Sequence, residues 1–355
     1  MSTSTQIEKR PAVGGVAVRR RDGAESVGFL HFKRRVLILG AGPLAQELGR
    51  VLMMRSGNSV EVVGFLDLKG VRLGEPLVNR KILGSYDQVE EIAQRHRVDT
   101  IAVCLEDRRA VLPVQSLLDM KVMGREVVDG NALIEAESGR LSIDHLRPST
   151  LIFSDGFRRR RLTMIVKRAL DICIAITGLV FLLPLFVLVG ILIKADSPGP
   201  ILYRQLRVGL RGEPYVMWKF RSMRQDAERN GAAWAAHKDP RVSRVGRWLR
   251  KWRVDEWPQL INVLRGEMSC VGPRPERPEF VRELRASIPY YDLRQSVRPG
   301  ITGWAQTRFR YGASAEDAHV KLQYDLYYVK NLSLALDFTI MARTVRVILA
   351  GEGAR

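Results

Sequence analysis

The chain has 355 residues, which is enough for about two domains of the usual ~100–200 residues each. Hydrophobic residues make up 46% and charged residues 27%, a composition typical of a globular protein rather than a disordered one. The mean hydropathy of -0.09 excludes a polytopic membrane protein but leaves room for one membrane segment.

The net charge of +19 is unevenly distributed along the chain. Residues 1–150 hold 22 Lys and Arg against 19 Asp and Glu, whereas residues 151–355 hold 35 against 19. The second part of the chain therefore favours a polyanionic partner, which could be nucleic acid, an anionic membrane surface or a phosphorylated substrate. A basic surface that only confers solubility is the alternative.

Cysteine and histidine are scarce and scattered. The three cysteines, Cys104, Cys173 and Cys270, form no C-x-x-C pair, which argues against a disulfide framework or a zinc ribbon and favours a reducing compartment. The five histidines form no H-E-x-x-H or similar spacing, which argues against a transition-metal enzyme.

The first part of the chain alternates strand and helix patterns. Residues 1–33 are polar and lack the apolar core of a signal peptide, so we expect a mobile tail there. An apolar strand at residues 35–39 leads into a helical pattern, and two further strands follow at residues 60–66 and 100–105, with helices between and after them. This alternation predicts a doubly wound parallel α/β domain over residues 34–150.

A G-x-G-x-x-A motif, Gly40 to Ala45, joins the first strand to its helix. Such glycines let the backbone approach a phosphate at a helix N-terminus, so Gly40 and Gly42 are candidate nucleotide-binding residues in a Rossmann-like domain. Asp67, at the end of the second strand, could face a ribose. The alternative is a domain that is kept for assembly or regulation and binds no nucleotide.

A membrane segment is predicted at residues 166–196, after a basic linker at residues 151–165. Residues 172–193 are 22 consecutive uncharged, mostly apolar residues, long enough to cross a ~30 Å hydrocarbon core. Pro184 interrupts this run, and basic residues flank both of its ends, so both ends should prefer the cytoplasm. We therefore expect a re-entrant helix; a plain spanning helix or a buried core helix are the alternatives.

Two adjacent acids, Asp255 and Glu256, precede a predicted helix that starts near Pro258 and stops at Gly266. The helix dipole favours ionised carboxylates at this end. An ionised Asp can act as a nucleophile on phosphorus or bind Mg²⁺, although acids at a helix start are also common without any such role.

Basic residues in stiff loops accompany these acids in the second part of the chain. Arg274 lies between two prolines, and Arg298 precedes Pro299 and Gly300. Restricted loops of this kind can hold a guanidinium ready for phosphate. Tryptophans interleaved with arginines at residues 247–257 suit the headgroup level of a membrane, or the stacking of a single-stranded nucleic acid.

From about Val166 to Leu349 the sequence resembles the bacterial sugar transferase family, the monotopic polyprenyl-phosphate phosphoglycosyl transferases of exopolysaccharide and glycoconjugate assembly. The blocks that carry the resemblance are Lys167-Arg168 with Asp171, Ser197-Pro198-Gly199-Pro200, Lys219-Phe220-Arg221-Ser222-Met223, Asp255-Glu256 with Pro258-Gln259, Gly272-Pro273-Arg274-Pro275, Pro299-Gly300-Ile301-Thr302-Gly303, and Asp325 with Tyr328.

The resemblance implies a reaction and a place for it. A nucleoside-diphosphate sugar, with UDP as the expected nucleotide, would give its sugar 1-phosphate to undecaprenyl (polyprenyl) phosphate at the cytoplasmic face of the inner membrane. This is the first step of exopolysaccharide or glycoconjugate assembly. The implied architecture is the Rossmann-like domain, the re-entrant helix and a mixed, mainly helical α/β catalytic domain at residues 197–355.

The resemblance also implies roles for single residues. Asp255 would be the nucleophile that forms a phosphosugar intermediate, Glu256 would assist through Mg²⁺, and Arg274 would hold phosphate. Lys219, Arg221 and Arg298 are assigned to substrate binding from their charge and position alone. Larger members of the family usually carry extra N-terminal transmembrane helices, so the chain would be a short or truncated form, and it could form a homo-oligomer.

The sequence offers two alternative functions. An NAD-dependent oxidoreductase built on Gly40 and Gly42 would need a catalytic acid–base set in the second part of the chain, where none is evident. The long apolar run argues against a nucleic-acid-binding protein, so no nucleic-acid partner is expected.

Overall fold

The computed structural model describes most of the chain, namely residues 33–55, 59–69, 72–105, 111–146, 148–224, 239–309 and 314–350. All but the last residue of the predicted tail at 1–33 lies outside the described residues.

The N-terminal domain is an α/β domain around one six-stranded sheet. Its elements are β1 (Arg34–Leu39), α1 (Pro43–Arg55), β2 (Val60–Asp67), β3 (Pro76–Leu77), β4 (Arg80–Ser85), α2 (Val89–Arg95), β5 (Thr100–Val103), α3 (Val114–Val122), β6 (Glu126–Asp129) and α4 (Gly130–Ser138). The strand order is β3-β4-β2-β1-β5-β6, and every pair is parallel except the short β3–β4 pair. The predicted parallel α/β architecture is confirmed.

The central strand β1 shows why this sheet carries helices on both faces. Val36 and Ile38 pack into one buried cluster with α1 and α4, while Leu37 and Leu39 pack into a second cluster with α2 and α3. Successive side chains of a strand point to opposite faces, so the continuous apolar run of β1 fills two hydrophobic layers at once.

A short helix, α5 (Pro148–Phe153), and one long helix, α6 (Arg161–Asp196), connect the two domains. Helix α6 has 36 residues, contains Pro184, and begins five residues before the predicted start of the membrane segment. Within the described residues, it is the one helix that is long and apolar enough to cross a membrane. Its large side chains are mostly uncovered; Phe181, for example, is 78% exposed.

The C-terminal domain is mainly helical and holds two small sheets. Its strands are β7 (Leu202–Val208), β8 (Pro214–Phe220), β9 (Ser269–Val271) and β10 (Gly300–Thr302). Its helices are α7 (Arg244–Lys251), α8 (Gln259–Arg265), α9 (Pro278–Ser287), α10 (Trp304–Arg308), α11 (Ala315–Lys330) and α12 (Leu334–Leu349). Strands β7 and β8 are antiparallel, and β9 and β10 are parallel.

Helix α6 is attached to the C-terminal domain near both ends of its apolar run. At the start, Lys167 donates to Asp337 over 2.7 Å, and Asp171 accepts a hydrogen bond of 3.0 Å from the backbone of Cys270. Near the end, Val189 and Ile193 pack in one buried cluster with β8, α7 and the turn before α8. Both ends of the apolar run therefore contact the same domain.

The two domains also contact each other directly. Trp304 is 3% exposed, and its indole N–H donates to the backbone oxygen of Gly139, at the end of α4, over 2.7 Å. Lys330 of α11 pairs with Glu135 of α4 over 2.6 Å. Through these contacts, the end of α4 packs against α10 and α11.

Candidate active site

Asp255 and Glu256 lie in a single 3₁₀ turn, Val254–Glu256, directly before α8. Helix α8 runs from Gln259 to Arg265 and ends at Gly266, whose φ of 83° is the left-handed conformation of a helix C-cap. The predicted order of acids, helix start and glycine stop is therefore the observed order. Arg253, just before the turn, also adopts a left-handed conformation, with a φ of 53°, which costs a non-glycine residue free energy.

Glu256 is surrounded by three cations. Its Oε1 atom lies 2.6 Å from Arg274 and 3.4 Å from Lys219, and its Oε2 atom lies 3.7 Å from Arg253. Burial by itself favours the neutral acid, but the charges of Arg274 and Lys219 outweigh it and hold the pKa of Glu256 below its usual range. Glu256 is therefore ionised at neutral pH.

Asp255, the neighbouring acid, has a different environment. It is 8% exposed, and no hydrogen bond reaches its carboxylate within the part of the chain that the structure describes. Burial raises the pKa of Asp255 to about 6, and the negative charge of Glu256 adds to this effect. The helix dipole favours the ionised form of both acids, but burial opposes it at Asp255, and the neighbouring cations account for the ionisation of Glu256.

Arg274 and Lys219 reach the acids from two different elements. Lys219 is the penultimate residue of β8, and Arg274 follows β9. The loop that carries Arg274 begins at Gly272, where a Cβ atom would lie only 2.4 Å from the backbone oxygen of Arg298. Because only glycine fits there, the loop packs directly against the segment before β10.

A buried ion pair holds the loop that carries Arg274 in place. Arg294 donates to the backbone oxygen of Arg274 over 2.7 Å and pairs with Asp325 over 2.8 Å. The sequence motifs predict no site role for Arg294. Its position depends on α11, which is distant in sequence, so no local pattern could have revealed it.

Arg221 and Arg298, predicted to bind substrate, make other contacts. Arg221 is buried and donates to the backbone oxygens of Pro198 and Ser197, at 2.9 and 2.6 Å, where it covers the end of α6. Arg298 donates to the backbone oxygen of Gly266 over 2.8 Å, at the far end of α8. Both arginines hold the elements that frame the acids, and a direct role in substrate binding stays a prediction.

The motif residues of the N-terminal domain lie at the carboxyl ends of its strands. Gly40, with a φ of 136°, follows β1, and a Cβ atom there would lie 2.5 Å from the backbone oxygen of Cys104. Gly42 directly precedes α1, and Asp67 is the last residue of β2. The close packing at Gly40 is sufficient to explain the glycine, so nucleotide binding at this edge stays a prediction.

The oxygen donors for the implied Mg²⁺ are the two adjacent acids. Within the described residues, no group of three or more His, Cys, Asp or Glu side chains could hold a metal ion. Proteins often bind Mg²⁺ through one or two carboxylates together with substrate phosphates. Asp255 and Glu256 fit that pattern, with the remaining ligands coming from phosphate and water.

Comparison with known proteins links this site to one family. The family model "Bacterial sugar transferase" matches residues 162–351. A UDP-N-acetylgalactosamine-undecaprenyl-phosphate N-acetylgalactosaminephosphotransferase of Aeromonas hydrophila is 44% identical over 221 residues, covering 62% of this chain and 52% of that protein.

Two further relatives align over most of the chain. An undecaprenyl-phosphate glucose phosphotransferase of Komagataeibacter xylinus is 33% identical, and the alignment covers 88% of this chain and 58% of that protein. A UDP-glucose:undecaprenyl-phosphate glucose-1-phosphate transferase of Xanthomonas campestris pv. campestris is 31% identical, and the alignment covers 90% of this chain and 69% of that protein. The chain thus spans about half the length of the first two relatives.

Proposed function

Because the chain belongs to the bacterial sugar transferase family, we propose that it transfers a sugar 1-phosphate from a nucleoside-diphosphate sugar to undecaprenyl phosphate. UDP is the nucleotide we expect, since the names of two relatives include a UDP-sugar. Asp255 is the nucleophile in this proposal, and the reaction takes place beside helix α6 at the membrane surface.

The environment of Asp255 is the observation that carries the proposal. A buried carboxylate with no hydrogen bond from the described residues is more nucleophilic than a solvated one, because neither water nor a hydrogen-bond donor has to be displaced before it attacks. Lys219 and Arg274 pair with the adjacent Glu256, lower the pKa of Asp255 by their charge and offer positive charge for phosphate oxygens.

The first step moves the sugar phosphate onto the protein. A carboxylate oxygen of Asp255 attacks the phosphorus atom that bears the sugar, and a new bond between oxygen and phosphorus forms. The bond from that phosphorus to the bridging oxygen of the diphosphate breaks, and a nucleoside monophosphate leaves with that oxygen and its electron pair. Lys219 and Arg274 balance the charge that develops on the phosphoryl oxygens.

The second step reverses the first with a new nucleophile. A phosphate oxygen of undecaprenyl phosphate attacks the same phosphorus, and the bond between that phosphorus and Asp255 breaks. The carboxylate of Asp255 is regenerated, and the lipid carries the sugar on a diphosphate. One side chain serves both substrates in turn, so they never need to occupy the site together.

Glu256 has a supporting role in both steps. Since it pairs with Lys219, Arg253 and Arg274, it holds these cations in place around the reacting phosphate. We also assign Mg²⁺ to Asp255 and Glu256 with the substrate phosphates, where the ion would neutralise charge on the diphosphate.

We further propose that α6 enters the membrane and returns to the cytoplasmic face. Its apolar run is attached to the C-terminal domain at Asp171 and again at Ile193, and a domain on one side of a bilayer cannot contact both ends of a helix that crosses it. Pro184, within this run, gives the helix a place to bend.

Labelling of the protein by its donor tests the nucleophile. Membranes that contain the wild-type protein are expected to incorporate sugar-phosphate label from a donor of a UDP-sugar panel when no acceptor is added. Asp255→Asn should lose both this adduct and transfer to undecaprenyl phosphate, because an amide oxygen is a poor nucleophile.

The matched control replaces an exposed acid of the same domain. Asp292→Asn changes a half-exposed surface side chain paired with Arg285, so it should label and transfer as the wild type does. An Asp255→Asn protein that still forms the adduct would contradict the assignment.

A further inference from the structure

An apolar cleft lies beside the acids, between the turn before α8, strand β10 and the end of α12. Its volume is about 140 Å³. Hydrophobic side chains form most of its wall: Trp252, Trp257, Leu260, Ile301, Val347 and Ile348. Arg253 and Glu256 border the same cleft, so charged groups adjoin this apolar wall.

Two residues of the cleft wall also contact α6. Leu260 lies against Gly178 of α6, where a Cβ atom would be 3.0 Å from the leucine methyl group. Trp257 stacks on Phe186 of α6, with ring centroids 6.4 Å apart. The cleft wall thus joins the apolar part of α6 to the charged groups around Glu256.

We propose that this cleft binds the isoprenoid unit next to the phosphate of the acceptor lipid, an assignment that rests on the proposed function. A lipid phosphate has an apolar chain joined to a charged head, and the cleft combines an apolar wall with charged groups at Arg253 and Glu256. An apolar cavity of about 150 Å³ can hold a benzene molecule, so a cleft of this size holds about one branched five-carbon unit.

Most polar groups of the cleft are already engaged within the protein. The hydroxyl groups of Thr302 and Thr344 bond to each other over 2.7 Å, and that of Thr307 donates to the backbone oxygen of Trp304 over 3.0 Å. Gln306 donates from its amide to the backbone oxygen of Ile301 over 3.2 Å, and its Oε1 atom is the one buried side-chain atom of the described cleft lining that lacks a hydrogen bond. A nucleobase, which needs several hydrogen bonds, is therefore a poorer match than a hydrocarbon, and it is the competing outcome in the test.

Filling the cleft separates these possibilities. Ile348→Trp places a large ring in the cleft, whereas Val345→Trp adds the same ring to α12 at a 55% exposed position that does not line it. We expect Ile348→Trp to raise the KM for undecaprenyl phosphate at least tenfold and Val345→Trp to change it less than twofold. The burst of nucleoside monophosphate with donor alone should keep its wild-type size in both variants, which also shows that both are folded.

A second variant and a binding measurement complete the design. If Ile348→Trp does not fold, Ile348→Ala takes its place, with a severalfold higher acceptor KM and an unchanged burst expected. Equilibrium binding of radiolabelled undecaprenyl phosphate to the detergent-solubilised protein should weaken in parallel.

The outcomes are distinguishable. An unchanged acceptor KM in the Ile348 variants, or a raised donor KM in its place, would overturn the cleft assignment and leave the proposed function standing. Wild-type protein that binds undecaprenyl phosphate and loses this binding in Ile348→Trp, yet transfers no sugar phosphate, would overturn the proposed function instead.

Discussion

Asp255 and Glu256 are neighbours in one turn, yet their charges are controlled in opposite ways. Glu256 has three cations within 4 Å, whereas Asp255 receives no hydrogen bond from the described residues. Two acids whose environments move their pKa values apart can divide the work of one reaction. In the proposed reaction, the stable carboxylate of Glu256 holds the cations, and the less stabilised carboxylate of Asp255 attacks the phosphorus.

The raised pKa of Asp255 predicts a pH dependence for transfer. Asp255 must be ionised to attack, and its pKa lies near 6. The value of kcat/KM for the donor should therefore be level above about pH 7 and fall as the pH drops through 6, towards tenfold per pH unit. A rate that stays level between pH 5 and 8 would contradict this prediction.

Lys219→Met provides the control for that profile. The positive charge of Lys219 lowers the pKa of Asp255, so its removal should move the midpoint of the profile to higher pH as well as reduce the rate. If the midpoint of the pH profile stays the same in Lys219→Met, a group other than Asp255 causes the fall in rate, and the prediction is contradicted.

At the scale of elements, α6 is held to the C-terminal domain by a buried polar cluster. Lys167 pairs with Asp337 of α12, and Tyr328 of α11 donates to the other oxygen of the same carboxylate over 2.8 Å. Lys167 also donates to the backbone oxygen of Val271 over 3.2 Å. Three elements from distant parts of the chain thus meet at the start of the membrane helix.

Breaking this cluster should loosen α6. Lys167→Met leaves Asp337 buried without its cation, and removal of one partner of a buried pair costs about 3–5 kcal/mol. We expect a clearly lower Tm for the detergent-solubilised protein. The double variant Lys167→Met/Asp337→Asn should recover part of the loss, because it removes both charges, and a double variant no more stable than the single one would contradict this interpretation.

At the scale of the whole molecule, the proposed return of α6 predicts that both domains lie on one side of the membrane. After Cys173→Ala, which removes the exposed cysteine, single cysteines are placed at Glu75 in the N-terminal domain and at Asp292 in the C-terminal domain. A membrane-impermeant maleimide should label neither position in intact cells and both after permeabilisation. Labelling of one position from outside would favour a spanning helix.

Local patterns were enough to predict several elements of the molecule. The apolar runs of β1 and β5 and the glycine stop at Gly266 are predictable from neighbouring residues alone. Residues that depend on distant contacts were not predictable in this way. Arg221 and Arg274 lie in similar basic motifs, yet one covers the end of α6 and the other reaches Glu256, because different strands and loops carry them.

The contact between Trp304 and Gly139 has a consequence for how the two halves of the chain can change over evolutionary time. Trp304 follows Gly303, where a Cβ atom would collide with the backbone oxygen of Gly272, in the loop that carries Arg274. A substitution near Gly139 that shifts its backbone would displace this indole and, through Gly303 and Gly272, the loop that carries Arg274. The N-terminal domain and this loop are therefore expected to accept mutations as a matched pair, so a hybrid that joins halves from two relatives would need compensating changes where they touch.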